Sequence, residues 1–381
     1  MTDQRLSDFA GEGRLLRPVS LIETSGARAA ELFTGAGRIC LAVPQLAKDA
    51  PGSPGGMNGG DSDIAMPIFV WDGTAFAPST QLDLPGGEGA ESFEIDSRAF
   101  LAGASGRTGA GPYDANARVT IWARDGLDFT PFQNIDTFLA KQVRYFTLAG
   151  RHFLGLALGV TVPGLERRHP DRSCIYEWTG ARFELIQDLA GEWGYNFTAF
   201  SLHGRDFLAY ADQAGGSAIY ELRGHHFALF QSLPDEGGRA FQAMEIDGVF
   251  QLAYATVFGD VAILRWAGER FAPAQILRRD GAREFAHINL GGRDYLAVIR
   301  FIQGSPKEPV SALRSYIYVW DGTAWQEADS FPSFGATDAA FFRDQGRIFL
   351  IVTNSLTPDI RFSQPSVVYE FLPDTRSEEA R

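Results

Sequence analysis

Residues 68–76 read IFVWDGTAF, and the same phrase returns as IYEWTGARF at 175–183 and as IYVWDGTAW at 317–325. Each copy has a short apolar strand that ends in tryptophan, a turn that contains glycine, and an aromatic residue that opens another strand. Repetition on this scale indicates an array of similar supersecondary units, each of which buries its apolar faces against its neighbours.

Seven units emerge when this phrase is followed along the chain. The residues that end the third strand of each unit are Trp71, Trp122, Trp178, Leu222, Trp266, Trp320 and Phe371. Their successive spacings are 51, 56, 44, 44, 54 and 51 residues, which suits four short strands with turns and variable insertions. The pattern therefore predicts an all-β fold, a seven-bladed β-propeller with four-stranded blades.

The two ends of the chain explain how such a ring would close. The seventh unit has no fourth strand after Phe371, whereas the segment Leu16–Arg17–Pro18 matches the fourth-strand opening Phe76–Ala77–Pro78. Proline is tolerated on an edge strand, where its missing N–H loses no ladder bond. We expect the N-terminal strand to complete the last blade, with residues 1–14 as an N-terminal tail, 15–373 as one propeller and 374–381 as a polar C-terminal tail.

Charge and composition argue against several classes of partner. The 381-residue chain has a formal net charge of −13, which argues against nucleic acid or an anionic membrane as a partner because either would need a basic face, although a local basic patch remains open. No secretory leader opens the sequence and no run approaches the roughly 18 apolar residues of a membrane helix, which predicts a cytoplasmic protein. Cys40 and Cys174 fall in different blades and are expected to be free core residues.

The repeat also resembles a known family over residues 15–373. The matching pattern is aromatic–x–hydrophobic–x–Gly–x–x–Phe–Leu–Ala, then Ile–Tyr–x–Trp–x–Gly–x–x–Phe, then Gln–x–Leu. It is similar to the epilepsy-associated repeat, also called EAR or EPTP. The resemblance implies a seven-bladed propeller that serves as a protein-recognition module, and it implies a cation in the central channel of some members.

The long insertions predict which face of the propeller is functional. All of them fall between strands two and three, at 44–67, 104–118, 159–172, 299–315 and 353–365. These connections share one face, and loops on a rigid scaffold are where binding usually occurs. The glycine-rich stretch 55–60 lacks the Lys-Ser/Thr of a phosphate-binding loop and is expected to be a flexible tip.

Polar residues on the first strand of each blade are expected to line the axial channel. One aligned level contains Glu31, Glu91 and Arg144, and the neighbouring level contains Glu284 and Asp338. Glu31, Glu91 and Asp338 could share a hard cation such as Ca²⁺, which prefers six to eight oxygen ligands. A close carboxylate pair could instead supply general acid/base catalysis. The simpler interpretation, which we prefer, is a solvated polar channel.

Two functions remain open from the sequence. The first is a binding module that recognises a protein or small-molecule ligand through the long-loop face and channel mouth, with Trp193, Tyr195, Arg144 and Glu284 as ligand-binding candidates. The alternative is a cofactor-independent enzyme of the lyase, isomerase or cyclase type, with Glu31, Glu91, Arg144 and His287 as catalytic candidates. Apart from the Ca²⁺ hypothesis, no cofactor is expected, and the sequence does not predict an oligomeric state.

Overall fold

The fold is a closed ring of seven four-stranded antiparallel sheets, as predicted. We analysed a computed structural model, which describes residues 2–52, 54–159, 172–233 and 236–373. The predicted C-terminal tail, 374–381, lies outside the described residues. The only helix in the described ranges, α1 (Thr2–Ser7), has six residues, and no helix there is long and apolar enough to cross a bilayer.

The strands fall into regular groups of four along the chain. In chain order they are β1 (Leu16–Ile22), β2 (Glu31–Gly35), β3 (Arg38–Ala42), β4 (Met66–Trp71), β5 (Phe76–Leu82), β6 (Gly87–Ile95), β7 (Arg98–Ser105), β8 (Asn116–Asp125), β9 (Asp128–Phe138), β10 (Ala140–Leu148), β11 (Arg151–Leu158), β12 (Ser173–Trp178), β13 (Phe183–Leu189), β14 (Gly194–Leu202), β15 (Arg205–Asp212), β16 (Ser217–Arg223), β17 (His226–Leu233), β18 (Gly238–Ile246), β19 (Val249–Thr256), β20 (Val261–Trp266), β21 (Phe271–Leu277), β22 (Ala282–Leu290), β23 (Arg293–Arg300), β24 (Gln303–Ser305), β25 (Glu308–Val310), β26 (Ala312–Trp320), β27 (Trp325–Phe334), β28 (Ala336–Asp344), β29 (Arg347–Asn354) and β30 (Ser366–Phe371).

Blades 1 to 5 are β2–β5, β6–β9, β10–β13, β14–β17 and β18–β21, each in sequential order from the axis outward. Blade 6 is β22-β23-β26-β27, and the small hairpin β24-β25 is an insertion between its second and third strands. Blade 7 has the order β28-β29-β30-β1. The N-terminal strand therefore completes the last blade, pairing from Leu16 with Phe371 to Ile22 with Ser366, as predicted.

The repeated phrase forms the contact between blades. Trp71 of blade 1 packs on Phe342 and Phe349 of blade 7, with ring centroids 5.1 and 4.9 Å apart. In the same way Phe227 of blade 4 packs on Phe153 of blade 3, at 5.5 Å. Such aromatic contacts bury large apolar area and fix the orientation of neighbouring sheets.

A glutamine on the outer strand ties each of four blades to the next. Gln231 accepts a hydrogen bond from the N–H of Phe271 and donates one to its carbonyl, both at 2.8 Å. Gln133, Gln187 and Gln275 make the same pair of bonds to Phe183, Phe227 and Trp325. The carboxamide satisfies one donor and one acceptor of an edge strand, which explains the Gln in the repeated motif.

The first residues of the chain are docked rather than free. Phe9 is buried, and its ring lies edge-on to Phe334 at 5.3 Å. Asp329, which stands where blades 2 to 5 have glutamine, accepts hydrogen bonds from the N–H groups of Gly13 and Leu15, both at 2.8 Å. Two acceptors therefore meet two donors at this interface, and the segment that was predicted as a tail is held against blade 6.

Candidate functional site

The long-loop face is built as predicted, because the described long connections all join strand two to strand three of a blade. Residues 160–171, most of the blade 3 insertion, lie outside the described ranges.

The glycine-rich stretch 55–60 is held by hydrogen bonds and is not a free tip. Arg107 donates to the carbonyls of Asn58 and Gly59 at 2.8 and 2.6 Å, and the Tyr113 hydroxyl donates to the Gly60 carbonyl at 2.8 Å.

A β-bulge at the start of the inner strand places one extra residue of each of six blades at the mouth of the channel. In blade 2, for example, the pairing register jumps between Gly87 and Gly89, so Glu88 is the unpaired residue. The same jump occurs at Lys141, Tyr195, Arg239, Arg283 and Thr337. Arg28 occupies the corresponding position just before β2. Bulges redirect side chains in this way, and we call these seven residues the mouth ring.

The mouth ring carries four cationic side chains against one carboxylate. Glu88 is buried and accepts a hydrogen bond from Lys141 Nζ at 2.6 Å, while Arg28 Nε lies 3.5 Å from its other oxygen. Burial opposes ionisation, yet Lys141, Arg28 and Arg283 together lower the pKa of Glu88 to about 2. Burial also lowers the pKa of Arg28 to about 10. The ionised side chains of the mouth ring therefore carry a net positive charge.

Arg239 and Arg283 lie against aromatic faces at the same level. The Arg239 guanidinium carbon is 3.8 Å from the Tyr195 ring centroid, and that of Arg283 is 4.8 Å from the Phe301 ring centroid. Arg239 is only 6% exposed, and its Nε and Nη1 have no hydrogen-bond partner among the described residues. Burial raises the pKa of the Tyr195 hydroxyl, but the nearby cations outweigh that effect and lower it.

A second layer, deeper along the axis, contains the carboxylates that the sequence predicted. Glu31, Glu91, Glu284 and Asp338 all line an axial cavity of about 400 Å³, together with Arg144. We call the four carboxylates the acidic belt. Arg144 Nη1 lies 2.9 Å from Glu91 Oε2. The sequence analysis thus predicted that these five side chains line one channel, but it did not predict the mouth ring above them.

Two residues of the acidic belt and one neighbouring glutamine also hold adjacent blades together. Asp338 of blade 7 accepts a hydrogen bond from the N–H of Ala30 in blade 1, and Glu31 of blade 1 accepts one from the N–H of Ser92 in blade 2, both at 2.8 Å. Gln142 does the same for Phe197 at 2.7 Å. The inner strands have no further strand beside them on the axis, so these side chains satisfy exposed backbone donors.

Burial and mutual repulsion raise the pKa values of the acidic belt. Burial raises the pKa of Glu284 to about 8, and the charge on Asp338 adds to this effect. The pKa of Asp338 rises to about 6 and that of Glu91 to about 7, although Arg144 lowers both. Burial, with Glu91 nearby, raises the pKa of Glu31 well above its ordinary value. Near neutral pH the belt is only partly ionised.

The arrangement does not fit the Ca²⁺ hypothesis as it stands. Within the described ranges, no three His, Cys, Asp or Glu side chains come together closely enough to hold a metal ion. Glu31, Glu91 and Asp338 point into one cavity, but their carboxylates are engaged by backbone N–H groups and by Arg144. We therefore assign no metal-dependent step to this channel.

His287 is not part of the axial cavity. Its Nε2 lies 2.8 Å from Asp294 Oδ1, and its ring lies 6.5 Å from Trp325, in the packing between blade faces. The prediction placed it beside the channel, but strand alternation turns its side chain away from the axis. The enzyme hypothesis therefore retains Glu31, Glu91 and Arg144 as candidates and loses its histidine.

Cys40 and Cys174 are free and buried, as expected.

Above the mouth ring lies an apolar cavity of about 350 Å³, which opens on the long-loop face. Its apolar lining comes from Leu46, Met57, Trp193, Phe258, Phe301 and Ile302. We call it the bowl, and its floor is the mouth ring. The predicted ligand-binding residues Trp193 and Tyr195 stack at 6.3 Å and both line it, whereas Arg144 and Glu284 lie in the axial cavity below.

Asp212, which the sequence analysis missed, positions Trp193. It is fully buried and accepts hydrogen bonds from the N–H groups of Glu192, Trp193, Ala214 and Gly215 at 2.6–3.1 Å. The carboxylate therefore joins the connection before β14 to the short link after β15. The signal available in the sequence was an aspartate, Asp212, at the end of an apolar strand and next to a short link that contains glycine.

The mouth ring also had a signal in the sequence. In every copy the ring residue follows a small residue, which is Ala27, Gly87, Ala140, Gly194, Gly238, Ala282 or Ala336. Close packing requires this at Gly194, since a Cβ there would lie 2.5 Å from the hydroxyls of Ser173 and Tyr210. A recurrent small residue at the start of a strand is typical of a bulge or a close backbone approach.

Comparison with known proteins agrees with the repeat and the fold. Residues 182–222 match the EPTP domain family. A human thrombospondin-type laminin G domain and EAR repeat-containing protein is 28% identical over 160 residues, which is 40% of this chain and 22% of the human protein. The matched segment thus spans about a fifth of that relative.

Two solved structures share the propeller architecture. One is a putative 6-phosphogluconolactonase from Bacteroides uniformis, with a TM-score of 0.53 and 15% identity, covering 79% of this chain and 88% of that one. The other is the β-propeller domain of Cps50 (Swd1) from Myceliophteria thermophila, with a TM-score of 0.56 and 9% identity, covering 94% of this chain and all of that one. At these identities the similarity concerns the fold alone. The seven repeats and the closed ring are similar to the architecture of EPTP/EAR-repeat β-propellers, and the segment that matches the family lies within that repeat pattern.

Proposed function

We propose that this protein is a binding module that recognises a segment of a partner protein in the bowl. The observation that carries the proposal is an apolar concavity at the centre of the long-loop face, with Phe258 59% exposed at its edge. Exposed apolar surface around a concave site is typical of an interaction surface. Similarity to EAR-repeat proteins supports the same function.

The geometry of the bowl favours an inserted apolar side chain. Trp193 and Tyr195 provide a stacked aromatic wall, and Phe301 and Ile302 on the opposite side are almost completely buried. A pocket of this size accommodates one or two aromatic or aliphatic residues, and such anchors contribute most of the binding energy at protein interfaces. Asp212 holds the Trp193 backbone in place, so the wall is preorganised.

A peptide selection tests this proposal and does not require the partner to be identified first. A random phage-displayed library is selected on the immobilised protein, and the affinity of the enriched peptides is measured for the wild type and for Phe258→Ser and Trp193→Ala. Val249→Ser is the control, since Val249 is 45% exposed at a tight hairpin on the opposite face. We expect peptides with a large apolar residue, and a loss of affinity of about tenfold or more in both bowl variants only.

The proposal is wrong if the enriched peptides bind both bowl variants as tightly as they bind the wild type. It is also wrong if Val249→Ser, rather than the bowl variants, abolishes binding, because the recognition surface would then be the hairpin face.

A further inference from the structure

The floor of the bowl has more positive charge than its own residues neutralise. Arg28, Lys141, Arg239 and Arg283 surround a single carboxylate, Glu88. Glu88 already bonds to Lys141 and lies beside Arg28, so its single negative charge is shared between two of the four cations. Arg239 and Arg283 contact aromatic faces, which stabilise a cation only partly.

Arg239 shows that a partner is missing. Its side chain lines both cavities, it is 6% exposed, and its Nε and Nη1 donate to no described residue. The Tyr195 side chain is one hydrogen-bond partner of this guanidinium. Buried donors that remain without acceptors are nevertheless costly, and native proteins normally satisfy such groups. The bowl wall supplies another unused donor, since Nε1 of Trp193 is buried and also has no partner among the described residues.

We propose that the mouth ring binds one oxyanion, a carboxylate or phosphate group, at Arg239 and Arg283, and that this group belongs to the ligand whose apolar part occupies the bowl. The inference deepens the proposed function and rests on it only for the apolar part. The planar guanidinium donors suit oxyanions, and the cations around them add long-range attraction.

The acidic belt explains why an anion would stop at this level. Glu284 directly follows Arg283 and Asp338 directly follows Thr337, so in blade 6 the charge changes from positive to negative within one residue of the channel wall. An anion that enters from the bowl meets carboxylates below and cations around it. Like charges in a confined, poorly solvated channel repel strongly. The mouth ring is thus the floor for an anionic ligand.

Calorimetric titration at fixed ionic strength tests the inference with four anionic probes and one neutral control. Inorganic phosphate and acetate test the ring alone, whereas phenyl phosphate and benzoate add an apolar group, and comparison within each pair distinguishes phosphate from carboxylate. We expect at least one anion to bind with 1:1 stoichiometry, its phenyl analogue to bind more tightly, and benzyl alcohol to bind more weakly than either aryl anion.

Substitutions assign the binding to the ring. Arg239→Gln is expected to weaken anion binding by about tenfold or more, while Arg239→Lys, which keeps the charge, loses less. Arg182→Gln is the matched control, because Arg182 is an exposed arginine paired only with Glu184 on the outer edge of blade 3. If circular dichroism shows that Arg239→Gln does not fold, Arg283→Gln replaces it with the same expected loss.

Two outcomes overturn the inference. One is the absence of binding for every anion up to roughly 10 mM, which corresponds to less than about 3 kcal/mol of binding free energy. The other is equal anion affinity in the wild type and the ring variants. Peptide affinity in Phe258→Ser, measured beside anion affinity in the wild type, separates the two proposals. If Phe258→Ser weakens peptide binding but no anion binds, the oxyanion site is wrong and the binding module stands. If inorganic phosphate binds the ring but Phe258→Ser leaves peptide binding unchanged, the bowl proposal is wrong and the oxyanion site stands.

Discussion

The contact between Asp329 and the N-terminal segment offers a sharp test of how the ring is closed. The Asp329 carboxylate accepts hydrogen bonds from Gly13 N and Leu15 N, both at 2.8 Å, and is itself 4% exposed. Gly13 lies so close that a Cβ there would be 2.1 Å from Asp329 Oδ1. Asp329→Ala removes the acceptor, and Gly13→Ala pushes it out of place.

The expected loss of stability can be worked out from the two bonds. A hydrogen bond to a charged group contributes about 1.5–3 kcal/mol. Leu15 is buried, so its N–H would remain unsatisfied in Asp329→Ala, whereas the exposed Gly13 can turn to water. We therefore expect Asp329→Ala to lower the free energy of unfolding by about 2–4 kcal/mol. Asp329→Asn, which keeps one acceptor for Leu15, should lose about half of that.

Urea unfolding followed by tryptophan fluorescence measures these free energies. Hydrogen exchange adds a local readout, since the β1 amides should exchange faster in Asp329→Ala. Because Gly13→Ala and Asp329→Ala disrupt the same contact, the double variant should cost about as much as the larger single change. Glu12→Ala is the control in the same segment, since its ion pair with Arg314 is mostly exposed, at 3.4 Å, and is worth little.

The reasoning is refuted if Asp329→Ala changes the unfolding free energy by less than about 0.5 kcal/mol, the scale of a neutral surface change. Additive losses in the double variant would also refute it, because the two residues would then act independently.

Three further predictions concern the channel, the blade contacts and the bowl. The folded-state pKa of Glu284, about 8, lies above its ordinary value of 4.5, so its contribution to stability is present below pH 4.5 and is lost as the pH rises to 8. Glu284→Gln should therefore gain roughly 3 kcal/mol relative to the wild type between pH 5 and pH 8 in urea titrations; an unchanged difference would contradict this. Gln231→Leu leaves the N–H and carbonyl of Phe271 unpaired and should lower the free energy of unfolding by about 2 kcal/mol in the same assay. A loss below about 0.5 kcal/mol would show that this pair of hydrogen bonds does not hold the two blades together. Asp212→Asn should accelerate hydrogen exchange at Trp193 and weaken the peptides selected on the bowl, whereas unaltered exchange there would remove its positioning role.

The sequence predicted the architecture well because the repeat records the contacts between blades. The two aromatic residues of each phrase pack on the preceding blade, as Trp71 does on Phe349. The pattern of edge prolines was equally informative, since Pro18 stands at a register shift of the outermost strand. Spacing and edge chemistry therefore determined the number of blades and the way in which the ring closes.

The candidate site was only partly predictable, for a geometric reason. In a regular strand, residues three apart face opposite sides, so Arg28 and Glu31, or Glu88 and Glu91, would not share a channel. The bulge between Gly87 and Gly89 adds one residue and brings both levels to the axis. His287 is an error of the same origin, since its side chain lies on the packed side of β22.

Ring closure by β1 has a consequence for synthesis. The strand at residues 16–22 emerges from the ribosome long before its partner at 366–371. At about 5–20 residues per second, the early segment waits roughly 20–70 s for its partner. Blades 1 to 6 can form in that interval, whereas the seventh sheet must await the synthesis of β30. A nascent chain that stops short of residue 366 therefore presents two unmatched edges, and these are natural docking points for a chaperone.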